Sequence, residues 1–171
     1  CIDFTGSYVD ALGVSGRMTI CNMAVEMGAK TAYIQPNQEV LEYVAARAVR
    51  PYEVMHTDPD FVYAESHVFD VSAMEPVVSC PHDVDNVHPI SEVATQNIRL
   101  NQAYIGSCTN GRTEDIAQAA AILKGKKIPK FSRLLVVPAS SEVLQECMEK
   151  GYIPDLIEAG ATLVSPGCAA C

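Results

Sequence analysis

Basic residues are scarce in this chain. Twelve lysines and arginines stand against 21 aspartates and glutamates, a formal net charge of −9 over 171 residues. Nucleic-acid binding needs a basic footprint and is excluded as the main role. No apolar run approaches the roughly 20 residues of a membrane span, and no signal-peptide pattern opens the sequence. There is no internal repeat and no low-complexity tract. The four histidines, at 56, 67, 82 and 88, lack ligand spacing and read as solvated loop residues. The seven cysteines are an odd number for a disulfide framework, which a chain of this length does not need. A cytoplasmic protein without disulfides is the expectation. The sequence opens on Cys1, in what reads as mid-domain sequence, and closes on the second cysteine of a CxxC. It therefore reads as a piece of a longer protein.

What the sequence does have is 49% hydrophobic residues, enough for one or two compact α/β units. In the first part a short extended signal at 2–5 precedes glycines 6, 13 and 16. A helical period then begins near Met18, with Ile20, Met23, Ala24 and Met27 on one stripe and Gly28 as its stop. A strand follows at 31–34. Asn37 is placed to cap a helix whose stripe is Val40, Leu41, Val44, Ala45 and Ala48. Further β segments are predicted at 62–63, 66–71 and 77–78. Residues 80–91, with two prolines among polar residues, read as a linker. The predicted domains are therefore 1–80 and 92–171, with 81–91 between them.

Beyond the linker the pattern alternates. Strands are predicted at 102–106, 133–137 and 162–164. Helices are predicted at 113–124 and from a cap at Ser140 or Ser141 to Lys150, stopped by Gly125 and Gly151. Alternation of this kind predicts a parallel sheet, with ligands at the carboxyl ends of its strands.

The thiols carry the chemistry. Ile105-Gly106-Ser107-Cys108-Thr109-Asn110-Gly111-Arg112 places one thiol on a glycine-flanked turn where a strand hands over to a helix. Cys168-Ala169-Ala170-Cys171 places two more three residues apart. A cubane iron–sulfur cluster is usually held by four cysteines. Held by three, it leaves one iron open to a substrate oxygen, where it acts as a Lewis acid. A hydro-lyase cluster is the hypothesis these thiols raise. Alone, the CxxC also suits a redox pair or half a zinc site, and Cys108 also suits a buried structural cysteine. A non-catalytic metal-binding module and a dithiol redox protein thus stand as rivals. Cys1, Cys21, Cys80 and Cys147 are expected to pack, Cys147 on a stripe with Val143, Leu144 and Met148. Asn22 and Glu26, four residues apart, share one helix face opposite the apolar stripe, and spacing alone makes that an ordinary solvated face.

Three ordered motifs go further. Phe4-Thr5-Gly6 with Gly16-Arg17-Met18-Thr19-Ile20-Cys21-Asn22-Met23-Ala24-Val25-Glu26-Met27-Gly28 is the first. Gly106-Ser107-Cys108-Thr109-Asn110-Gly111-Arg112 is the second, and Ser165-Pro166-Gly167-Cys168-Ala169-Ala170-Cys171 the third. Together they resemble the aconitase superfamily over essentially the whole chain. The Gly-Arg at 111–112 looks closer to the branch of large subunits that act on 3-isopropylmalate or homoaconitate than to aconitase itself. The resemblance implies three-layer α/β/α domains with mostly parallel sheets, two of them partial here. It implies a 4Fe–4S cluster with one open iron, held by Cys108, Cys168 and Cys171, and Asn22 and Glu26 as active-site residues. The implied reaction is the dehydration and rehydration of a small 2-hydroxy acid. A small subunit or swivelling domain completes the site in that family, so the isolated chain is expected to be inactive, and its expected inactivity does not depend on whether it holds the cluster.

Overall fold

The computed structural model describes residues 1–169. The chain divides into two compact units, Cys1–Ile98 and Arg99–Cys171.

The first unit holds its regular structure at its ends. Strand β1 (Ile2–Asp3) pairs parallel with a later strand across helices α1 (Ser7–Asp10) and α2 (Val14–Asn22). That partner is β2 (Ala32–Tyr33), followed by helix α3 (Gln38–Ala45). The Asn37 side chain accepts from the Val40 N–H at 3.0 Å, the cap the sequence predicts. Helix α2 differs from its prediction. It begins four residues earlier than Met18, because Glu39 of α3 accepts from the Val14 N–H at 3.3 Å and supplies a carboxylate to the helix start. It also ends at Asn22, with turns through 23–28 and Gly28 in the left-handed region at φ 85°. The helical period therefore stops short: Ala24 is buried, but Met23 and Met27 are 42% and 60% exposed.

Arg17 holds this unit together. It is 5% exposed, and its guanidinium donates to the carbonyls of Leu12 (2.7 Å), Gln35 (2.8 Å) and Asp10 (2.9 Å). One planar fork thus ties α1, α2 and the end of β2 to one point. Arg17→Met would leave three carbonyls without their donor. Hydrogen bonds to charged groups contribute about 1.5–3 kcal/mol each, so a loss of about 3 kcal/mol or more is expected in urea unfolding. Arg17→Lys should lose at least half as much, since one ammonium cannot reproduce the fork. An unchanged unfolding midpoint in Arg17→Met would rule this clamp out.

Residues 51–76 form no strand or helix, contrary to the β segments predicted at 62–63 and 66–71. Val62, Val68 and Phe69 are 87%, 96% and 79% exposed, so the side chains that suggested strands meet no partner sheet. Strands β3 (Val77–Ser79) and β4 (Val87–Pro89) then pair as an antiparallel hairpin, followed by α4 (Ile90–Ala94). The predicted linker is largely the turn and second strand of this hairpin. The boundary between units falls later, between Ile98 and Arg99.

The second unit follows its pattern closely. Strand β5 (Gln102–Gly106) leads through a single helical turn, α5 (Ser107–Asn110), into α6 (Thr113–Leu123). Strand β6 (Arg133–Val137) is followed by α7 (Ser141–Glu149) and α8 (Tyr152–Ala159), then β7 (Thr162–Leu163). The three strands form a parallel sheet in the order β5-β6-β7. Ser140 caps α7, its hydroxyl accepting from the Val143 N–H at 3.3 Å. Leu134 and Val136 of β6 pack with Ile116, Ala120, Cys147 and Leu156 of the helices in one buried cluster. Cys147 is fully buried, and that burial raises its thiol pKa, with a smaller opposing effect from the Thr113 hydroxyl. It packs as expected, whereas Cys1 is exposed. The whole is an α/β protein with mostly parallel sheets. Among the described residues no helix is long and apolar enough to cross a membrane.

Candidate metal centre

The carboxyl ends of three parallel strands share one sheet edge, and two of the predicted ligands sit on loops there. The first loop leaves β5 abruptly. Gly106 has φ 121° and ψ −136°, and Ser107, 4% exposed, has φ 76°. Cys108 follows, half-buried, in the single turn α5. Gly106 pairs with Val137, the last residue of β6. A Cβ on Gly106 would stand 2.0 Å from the Val137 carbonyl oxygen. One on Gly111 would stand 2.5 Å from the carbonyl oxygens of Ser107 and Val137. The two glycines thus let the cysteine turn sit directly against the end of β6.

Residues 138–139 connect the two ligand loops. The Ala139 N–H donates to the Gly111 carbonyl at 2.8 Å, and the Gly167 N–H donates to the Pro138 carbonyl at 3.0 Å. The Tyr104 hydroxyl donates to the Cys168 carbonyl at 3.4 Å, tying the second loop back to β5. Cys168 is exposed. Cys171 lies outside the described residues. Among the described residues no group of three His, Cys, Asp or Glu side chains is gathered to hold a metal ion. Two cysteine thiols on separate loops of one sheet edge are nevertheless a soft donor set of the kind that iron–sulfur chemistry uses.

Arg112 is a feature that the sequence reading assigned no role. Its Nη2 donates to the Cys108 carbonyl at 3.0 Å, while its backbone N–H donates to Asp115 Oδ2 at 3.0 Å. The side chain holds the cysteine turn and the backbone opens α6. Asp three residues after Arg112 was the available signal, since it marks a helix start.

Asn22 and Glu26 belong to the first unit and are both exposed. Asn22 is the last residue of α2, and Glu26 lies in the turns beyond it, so they do not share one helix face as the spacing predicts. The short helix, ended at Met23, is the physical reason.

The model of the Aconitase family (aconitate hydratase) matches residues 1–171. The chain belongs to the aconitase family. It is 46% identical over 170 residues to a probable methanogen homoaconitase large subunit of Methanothermobacter thermautotrophicus, covering 99% of this chain and 39% of that protein. It is 44% identical over 170 residues to a 3-isopropylmalate dehydratase large subunit of Heliobacterium modesticaldum, covering 99% of this chain and 40% of that protein. A 3-isopropylmalate dehydratase large subunit of Pyrococcus abyssi is 45% identical over 170 residues, again 99% of this chain and 40% of the relative. The chain thus spans about two fifths of the length of these relatives. Aconitase-family membership agrees with the resemblance carried by the three sequence motifs.

Proposed function

We propose that this chain is part of the large subunit of an iron–sulfur hydro-lyase that isomerises a 2-hydroxy acid by dehydration and rehydration. The leading substrate is 3-isopropylmalate, which assigns the enzyme to leucine biosynthesis. Homoaconitate is the second reading, and a relative named homoaconitase at 46% identity favours it equally. A citramalate- or aconitate-type hydratase is a more distant alternative within the family. The observation that carries the proposal is the pair of cysteine loops hydrogen-bonded to adjacent residues after β6, one to Ala139 and the other to Pro138.

Cys108, Cys168 and Cys171 would hold a 4Fe–4S cluster. When bound, that cluster supplies the Lewis acid that a poor leaving group such as hydroxide requires. This chain's own residues have other tasks. Arg112 fixes the backbone at Cys108 through its carbonyl, and Gly106 and Gly111 allow the turn its position. Glu26 hydrogen-bonds the substrate hydroxyl or the water it becomes and exchanges a proton with that oxygen, and Asn22 orients substrate groups by hydrogen bonding. A 2-hydroxy acid dicarboxylate would still need cationic partners, which a small subunit or swivelling domain supplies. The naming of these relatives as large subunits supports such a partner. The isolated chain is accordingly inactive, since catalytic groups that act as a unit lose most of their effect when several are missing. The enzyme works in the cytoplasm, without nucleic acid or membrane, in keeping with its charge of −9.

Spectroscopy on the anaerobically assembled enzyme tests the reading against its rivals. Visible iron–sulfur absorption with hydratase turnover supports it. Absorption without turnover on any hydroxy acid favours a binding module, and a reversible Cys168–Cys171 dithiol without iron favours a redox protein. Cys108→Ser should abolish the absorption or leave a labile cluster, because an alkoxide is a harder, more basic ligand than a thiolate. Full cluster content and activity in that variant would remove Cys108 from the centre.

A further inference from the structure

The net charge of the chain has a single source. Residues 51–98 carry nine of the 21 carboxylates and none of the 12 lysines and arginines, so this stretch alone accounts for the −9. All nine carboxylates are exposed, and no residue of the stretch is buried. Large apolar side chains stand open among them: Tyr52, Met55, Val62, Val68, Phe69 and Met74 are all exposed. Single exposed apolar residues are ordinary, but a dense run of them marks a surface that another element covers.

The backbone points the same way. Ser66-His67-Val68-Phe69-Asp70-Val71 has the β-branched and aromatic content of a strand, and residues 62–71 contain no proline. Yet the segment belongs to no sheet. Among the described residues no amide N–H from 62 to 71 donates a hydrogen bond within the chain. Strand-forming residues with unpaired amides and open apolar side chains are a template for a neighbouring strand.

Charge and length select what covers it. A second copy would set the same acidic stretch against itself, with no lysine or arginine on either side. The complementary surface is apolar with a cationic margin. This chain spans 39% and 40% of the length of two of its relatives, so most of such a polypeptide lies outside it. A segment of the same polypeptide is tethered nearby, at an effective concentration on the order of millimolar for a short flexible connection. A separate subunit lacks that advantage and would leave the apolar run open whenever it dissociates.

We infer that residues 62–71 form a strand paired with a segment of the large-subunit polypeptide outside residues 1–171, one that brings apolar side chains to Val68 and Phe69 and lysine or arginine to the carboxylates around them. The inference rests on the large-subunit reading, and on neither the cluster nor the reaction.

The test is hydrogen exchange, followed by mass spectrometry, on the full-length large subunit produced without a small subunit. Amides at 62–71 are expected to exchange at least about hundredfold more slowly than those of an unstructured chain, at every protein concentration. Glu65→Lys with Glu75→Lys should speed exchange there by at least about tenfold, because the new charges meet a cationic margin. Glu65→Gln with Glu75→Gln removes the charges without reversing them, and should speed it by about threefold. That pair decides the matter if the reversed variant does not fold. Exchange at the unstructured rate in the wild type would overturn the inference. So would protection that appears only with the small subunit, protection lost on dilution as a dimer separates, or unchanged exchange in the glutamine variant. Hydratase turnover of the assembled enzyme without protection at 62–71 in the large subunit would sink this strand and leave the proposed function standing.

Discussion

Gly106→Ala should cost the second unit about 4 kcal/mol or more, a large share of a domain's typical stability of about 5–15 kcal/mol. Two separate penalties combine. At φ 121° and ψ −136° the backbone is in a region essentially reserved for glycine, and such strain costs on the order of 1–3 kcal/mol. The new Cβ would also stand 2.0 Å from the Val137 carbonyl oxygen, a backbone atom that cannot rotate away. Relief requires β5 and β6 to separate at the edge that carries Cys108, and overpacking of that kind adds about 1–3 kcal/mol. Gly125→Ala is the control. Gly125 has φ 71° but nothing within 4 Å of the added atom, so only strain of about 1–2 kcal/mol applies. Equal urea midpoints for the two variants would show that contact with β6 is not what requires glycine at 106.

The second large effect concerns Glu26, whose side chain is exposed in the turns after α2. As a solvated residue, its change to glutamine should alter stability by no more than about 0.5 kcal/mol. As a group that hydrogen-bonds the leaving hydroxyl or water and exchanges a proton with it, it should matter far more to rate. A positioned acid or base contributes about 10² to 10⁴ in rate. Glu26→Gln in the assembled enzyme is therefore expected to lose turnover in that range, with folding and cluster content retained. Asn22→Ala should lose less, because an amide orients groups but takes up no proton. Turnover is measured per assembled cluster, so that lost iron is not counted as lost chemistry. Wild-type turnover in Glu26→Gln would make the residue an ordinary surface carboxylate.

The two units differ in how much of them a sequence can reveal. In the second, β5 and β6 occupy the residues predicted, and α6 ends one residue early. There the signals are local: apolar runs buried in a sheet, a serine cap and glycine stops. The exception is α8, where no element is predicted. Pro154 looks like punctuation, yet it falls in the first turn of that helix, where a missing N–H costs nothing. In the first unit the deciding contacts are remote. The start of α2 is capped by Glu39, 25 residues away, and Arg17 reaches carbonyls on both sides of its own helix. No window along the chain contains those partners. At the candidate centre the glycine-flanked cysteine was legible because the backbone itself demanded glycine. The Arg112 bond to the Cys108 carbonyl was not, since the Gly-Arg pair and Asp115 mark a motif and a helix start without saying where the guanidinium reaches.

The two residues after β6 touch both cysteine loops through main-chain atoms alone: the Ala139 amide on one side and the Pro138 carbonyl on the other. Side-chain identity at Ala139 is therefore loosely constrained, whereas chain length between Val137 and Ser140 is tightly constrained. Inserting one residue there would move the amide and the carbonyl out of step, so only one loop could keep its bond. The span acts as a ruler between the thiols, and a change in its length should alter their separation even where every cysteine is intact.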